Sequence, residues 1–131
     1  MCLLIAKKPG QTIPTEHLEC GFDQNSDGAG FSYVTRSGKV VVVKGFMKFA
    51  DFLKAYRSIN VRSAHIVHFR WATHGTVNKD NCHPFILPHN IAMGHNGIIA
   101  GVKSTQEISD TRAFVNEVLT PDIMTNPEVL H

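Results

Sequence analysis

Four short stretches of this chain carry residue types at spacings suited to chemistry: MCLLIAK (1–7), HFRWATHGTVNKDNCHPF (68–85), GHNGII (94–99) and SDTR (109–112). Cys2 follows the initiating Met directly, and a Met before a small residue is commonly trimmed. Cys2 would then be the N-terminal residue. A free α-amine titrates near ~7.7–8.0, so a useful fraction is neutral base at physiological pH. One residue would supply both nucleophile and base. The alternative is a buried strand cysteine, because Cys is among the most buried residue types and Leu3-Leu4-Ile5 is apolar. On this stretch alone the buried strand is the better reading.

Arg70, Trp71, Thr73 and His74 fall within five residues, where a strand gives way to a loop. Such junctions hold binding groups on a rigid support. Arg70 can clamp a carboxylate through two parallel hydrogen bonds. Trp71 offers a flat wall, and Thr73 and His74 offer short-range hydrogen bonds. Singly these are a surface Arg, a core Trp and turn residues; together, in a loop closed by Gly75, they read as a site. The Asn96 amide and the Gly97 N–H can point at one spot, as in an oxyanion hole, or can form an ordinary Asn-Gly turn. Asp110 is suited to a substrate ammonium or to the first turn of a helix. His74, Cys82, His83 and His95 could be read as metal ligands, but they lack the paired spacing of a zinc site.

The elements that must position these residues follow from periodicity. The apolar run at 2–7 reads as a strand and 9–28, with two Pro and three Gly, as a long connection. The segment 30–45 reads as a hairpin about Arg36-Ser37-Gly38, with Gly38 at the positive-φ position. In 47–59, Phe49, Phe52, Leu53, Tyr56 and Ile59 share one helical face. Residues 63–69 alternate as a strand, 70–85 form a polar loop, and 90–103 read as two short strands broken at His95-Asn96-Gly97. A helix at 109–119 has Ser109 or Asp110 as N-cap, and Pro121 ends it or begins a further turn. Asn126 and Pro127 announce another helix. The order predicts an α+β fold with an antiparallel sheet, with the helices on one face or both.

The chain has 131 residues, 43% of them hydrophobic, a length and composition that predict one domain over 1–131. A net charge of +2 and scattered Lys and Arg offer no track for nucleic acid or a lipid surface. No apolar run is long enough to span a membrane, and the start is not built as a secretory signal. Three widely spaced cysteines fit a reduced, cytoplasmic setting better than a disulfide framework.

The ordered set MC, RWATHG (70–75), NCHPF (81–85), GHNGII (94–99) and SDT (109–111) closely resembles the glutaminase domain of class II glutamine amidotransferases, which are N-terminal nucleophile hydrolases. The resemblance spans residues 2 to about 119. NSDGAG (25–30) is similar to a segment of a smaller glutaminase-like branch, and the Arg-Gly pair that the synthases tend to carry there is absent. The resemblance implies a four-layer αββα sandwich and L-glutamine as substrate, with no cofactor or metal. It implies Cys2 as nucleophile with its α-amine as base. It further implies Asn96 and Gly97 as oxyanion hole, Arg70 on the α-carboxylate with Thr73 and His74 nearby, Asp110 on the α-ammonium, and Trp71 as a wall. The family's domains run on past the equivalent of the 109–119 helix. A truncated sandwich with an open sheet edge is therefore expected, and with it an ammonia acceptor on a separate synthase chain or in a portion of the protein outside this sequence. The competing expectation is a non-catalytic or truncated relative that binds or scaffolds.

Overall fold

The computed structural model describes residues 1–59, 62–73 and 75–125. Its strands are β1 (Leu3–Lys7), β2 (Ala29–Val34), β3 (Val40–Phe46), β4 (His65–Phe69), β5 (Phe85–Leu87) and β6 (Ile91–Met93). Its helices are α1 (Thr15–Gln24), α2 (Phe49–Arg57), α3 (Asp110–Glu117) and the single turn α4 (Pro121–Met124). The first four strands form one antiparallel sheet in the order β1-β4-β2-β3, and β5 and β6 form a separate antiparallel pair. This is the mixed, antiparallel class expected from the pattern. The helix expected at Asn126-Pro127 lies outside the described residues.

Strands β1 and β2 flank β4, and α1 connects them; β3 and β4 flank β2, and α2 connects those. Both helices pack on one face of the sheet. The register Leu3↔Phe69↔Ala29 and Ile5↔Val67↔Phe31 lines that face with apolar side chains. Leu18 and Phe22 of α1 and Phe52 and Tyr56 of α2 close over it. Phe52 is at the centre, 5.1 Å from the Phe69 ring and 5.8 Å from Phe31, both edge-on, the geometry that aromatic quadrupoles favour.

The opposite face is covered too. The Lys44 ammonium of β3 sits 3.8 Å over the Phe85 ring of β5, and the His68 ring of β4 stacks on His83 at 4.2 Å. Helix α3 in turn contacts β5. β4 is therefore covered on both faces, and His68 is fully buried although HIVHF alternates like a half-exposed strand. The β2–β3 hairpin turns as expected, closed by Thr35 N–H donating to Lys39 O at 2.8 Å with Gly38 at φ +81°.

Two expectations are corrected. The segment 9–28 is not all connection, because α1 occupies 15–24. Pro14 stands just before its first turn, where a missing N–H costs nothing. Gly21 lies against the sheet: a Cβ there would come within 2.7 Å of Leu3 and 2.9 Å of Phe69. Two of the residues that suggested a loop are thus the ones that start the helix and let it approach. The segment 90–103 holds only one strand, β6, whose partner is β5. The Asn96-Gly97 turn joins no hairpin; the Asn96 amide instead donates to Cys2 O.

Removing the central ring should be costly. Phe52→Ala is expected to destabilise the fold by about 3–5 kcal/mol in urea unfolding. Cys20→Ala on the exposed side of α1 should stay within about 0.5 kcal/mol. Equal midpoints for the two variants would place the core elsewhere.

Candidate active site

The β1–β4 ladder sets the site. Leu3 pairs with Phe69, so the residue before β1 meets the residues after β4. The Cys2 thiol donates to Trp71 O and Trp71 N–H donates to Cys2 Sγ, both at 3.3 Å. The end of β4 is itself fastened by the NSDGAG segment. Arg70 N–H donates to Gly28 O at 2.8 Å, Asp27 N–H to Arg70 O at 2.9 Å, and Ala72 N–H to the Asp27 carboxylate at 2.8 Å. Asp27 has a clear positioning role that its sequence motif alone does not assign.

Arg70 is buried, and its guanidinium donates to Thr76 O at 3.0 Å and to Gly75 O at 3.3 Å. These bonds fix the guanidinium plane while it lines a small cavity of about 20 Å³ together with Cys2, Trp71, Thr73, Gly97 and Asp110. The cavity adjoins a larger mouth of about 290 Å³, bordered by Met1, Cys2, Trp71, Thr73, Asn96 and Ile98. That size is close to the lower end of small-ligand pockets, ~300–1,000 Å³. A wider, shallower cleft of about 600 Å³ lies between 72–76 and 104–106, and of the residues expected in the site only Thr73 lines it. Trp71 is half-exposed at the mouth.

The turn carrying Asn96 and Gly97 is tied down on three sides. The Asn96 amide donates to Cys2 O at 2.7 Å. His95 N–H donates to His83 Nδ1 at 3.2 Å, and Ile99 N–H donates to an Asp110 carboxylate oxygen at 2.6 Å. Gly97 has φ +145°, a conformation that disfavours any side chain. Ser109, not Asp110, caps α3, accepting from Arg112 N–H at 3.3 Å. Asp110 is buried and also accepts from Thr111 N–H at 2.8 Å. The Thr111 hydroxyl also donates to it at 3.5 Å; a carboxylate offers about four acceptor sites, so these bonds still leave capacity for a ligand.

Cys2, Arg70, Trp71, Thr73, Asn96, Gly97 and Asp110 thus meet from four separate stretches of chain. His74 lies outside the described residues. Among those residues no group of three His, Cys, Asp or Glu is arranged to hold a metal ion, and no helix is long and apolar enough to cross a membrane. Two residues missed as site components are Asn81 and His83 of NCHPF. Asn81 is fully buried; its amide donates to Thr76 O at 3.0 Å and Glu107 O at 2.8 Å, and its carbonyl accepts from Ser109 N–H at 3.2 Å. It joins the Arg70 loop to the start of α3. A buried Asn between two loops has no periodic signal; only its place within a motif marks it.

A family model described as class II glutamine amidotransferases matches residues 18–115. That span holds Arg70, Asn96, Gly97 and Asp110 and stops short of Cys2. The curated proteins with similar sequences include glutamine–fructose-6-phosphate aminotransferases. The one from Thermotoga maritima is 38% identical over 93 residues, 68% of this chain and 15% of that protein. The one from Pectobacterium atrosepticum is 34% identical over 97 residues, 72% of this chain and 16% of that protein. The one from Buchnera aphidicola (from Acyrthosiphon pisum) is 35% identical over 74 residues, 56% of this chain and 12% of that protein. The chain therefore spans no more than about a sixth of these relatives' length.

The stacked histidines impose a pH limit. Burial pushes His68 down to about 4, with the His95 backbone opposing the shift and the Arg70 guanidinium nearby adding to it. Burial pushes His83 down to about 2, with His68, Lys44, Arg70 and His95 facing it. Above pH ~6.5 both are neutral folded or unfolded, and their contribution is constant. Below that value the unfolded chain takes up protons that the folded chain refuses, so stability falls as pH drops. His68 alone should remove about 3 kcal/mol by pH ~4. Urea midpoints measured from pH 7.5 to 4.5 should decline, and decline less in His68→Phe. An identical decline in the variant would assign the effect to other groups.

Proposed function

The chain belongs to the class II glutamine amidotransferases, and on that premise we propose that it hydrolyses the side-chain amide of L-glutamine with Cys2 as N-terminal nucleophile. The observation that carries the proposal is the meeting of Cys2 with Trp71 across the β1–β4 register, beside Arg70, Asp110 and the Asn96-Gly97 turn. Glutamine has one carboxylate, one ammonium and one reactive amide, and each finds a partner: Arg70, Asp110 and Cys2. Thr73 lines the same cavity and Trp71 walls its mouth; His74 of the same RWATHG motif is assigned to substrate binding on the family resemblance alone.

Met1 is 90% exposed, which leaves it open to trimming and the α-amine of Cys2 free to act. The amine takes the thiol proton as sulfur attacks the amide carbon. The oxyanion is received by the Asn96 amide and the Gly97 N–H. Collapse breaks the C–N bond, the amine returns the proton, and ammonia leaves a glutamyl thioester. Water, activated by the same amine, attacks the thioester; glutamate departs and the thiol is restored. Donors placed in advance where charge develops stabilise the transition state more than the ground state.

The layering supports an αββα reading, with α1 and α2 outside the large sheet and α3 against the smaller one. The chain acts as one glutaminase domain on this reading. Ammonia passes to an acceptor site on a synthase unit; the named relatives use fructose 6-phosphate. Cys2, Cys20 and Cys82 are unpaired thiols, which suits a reducing cytoplasm.

Purified chain whose intact mass shows loss of Met1 should release glutamate from glutamine. Cys2→Ala should abolish release, and Asn96→Ala should lower kcat roughly 10²–10³-fold. A Cys2→Ala variant with full activity would overturn the nucleophile. A folded chain that keeps Met1 and releases no glutamate would favour a binding role.

A further inference from the structure

NCHPF contributes no side chain to the reaction proposed above, yet it contains the fully buried Asn81 and the buried His83. His83 accepts, through Nδ1, the backbone N–H of His95 at 3.2 Å. His95 is the residue before Asn96. The far end of the same turn is held by Asp110, which accepts Ile99 N–H at 2.6 Å. The Asn96-Gly97 turn is therefore suspended between two side-chain acceptors, and only one of them, Asp110, has a binding role in the reaction.

We propose that His83 is the positioning residue for the oxyanion hole: as a neutral acceptor it fixes the backbone of His95 and with it the directions of the Asn96 amide and the Gly97 N–H. The assignment of a reaction to that turn rests on the glutaminase reading. The geometry selects one tautomer. Nδ1 accepts a hydrogen bond, so it carries no proton, and the neutral ring holds its proton on Nε2. The ring cannot swing away, since one face stacks on His68 at 4.2 Å and its edge meets Phe85 at 5.0 Å. Arg70, His68, His95 and Lys44 surround it with positive or potentially positive groups. These disfavour the imidazolium, the form that would turn the acceptor into a second donor facing His95 N–H.

His68 belongs to β4, the strand that ends one residue before Arg70. Through the His68–His83 stack, the strand carrying the substrate clamp also locates the turn carrying the oxyanion donors. A displacement of the donors by 1 Å is enough to lose most of their benefit.

The test compares His83→Asn with His83→Ala in the full chain. Asn Oδ1 occupies the place of His Nδ1, two bonds from Cβ, and restores the acceptor. His83→Ala is expected to lower kcat for glutamate release about 100-fold with KM for glutamine changed less than about threefold. His83→Asn should recover kcat to within about tenfold of the parent. Backbone amide exchange provides a readout independent of activity. The His95 amide should be protected in the parent and in His83→Asn, and should lose protection in His83→Ala while β2 and β4 amides stay protected. Equal kcat losses in the two variants, or a His95 amide equally protected in both, would overturn the proposal. If the parent itself releases no glutamate, the glutaminase reading fails, while the exchange data still decide whether His83 holds the turn.

Discussion

The pairing of β1 with β4 is the constraint on which everything else depends. Five residues, Leu3 to Lys7, fix the register, and that register brings the chain terminus to the loop after Phe69. No side chain near the terminus could do this alone. The Leu3 and Ile5 side chains face the aromatic core, so sliding β1 by one residue would turn them to the opposite face. The nucleophile's position is thereby secured by partial apolar burial at Leu3 and Ile5, each contributing less than the about 1.5–3 kcal/mol of a fully buried large side chain.

A second level of organisation lies on the opposite face of the sheet. Polar side chains join loops that are remote in sequence: buried Asn81 links the 76 and 107–109 segments, buried His83 holds residue 95, and half-buried Asp27, at the end of β4, holds residue 72. Each makes hydrogen bonds to main chain, and a buried backbone N–H without a partner is costly. The loops carrying the candidate site are thus held by side chains that need take no part in its chemistry. His68 is different, with both ring nitrogens lacking a hydrogen-bond partner among the described residues. It serves as a neutral stacking surface, and its burial is part of what limits the fold in acid.

Much of this was legible in the sequence, for a physical reason. The short apolar run LLIAK and the strongly periodic helix FADFLKAYR announced themselves, as did the Gly38 turn. Ordered motifs brought the site residues to notice, while spacing alone left Cys2 looking like a core residue. What escaped were features defined only by a tertiary partner. Helix α1 was hidden by Pro14 and Gly21, whose meaning depends on the sheet beside them. The second strand expected within 90–103 did not form; β6 pairs with β5 instead, and the Asn96 amide reaches Cys2 O. The roles of Asn81, His83 and Asp27 exist only as contacts between distant loops.

The central claim is that Cys2, freed of Met1, attacks the side-chain carbon of a bound glutamine. Intact-mass and peptide-mass measurement after treatment with a glutamine analogue bearing an electrophilic carbon at that position tests it most directly. The account predicts one adduct per chain, on Cys2 of the form lacking Met1, with formation slowed by excess glutamine. Adduct on Cys20 or Cys82 in place of Cys2, or labelling of Cys2 that glutamine does not protect, would contradict it.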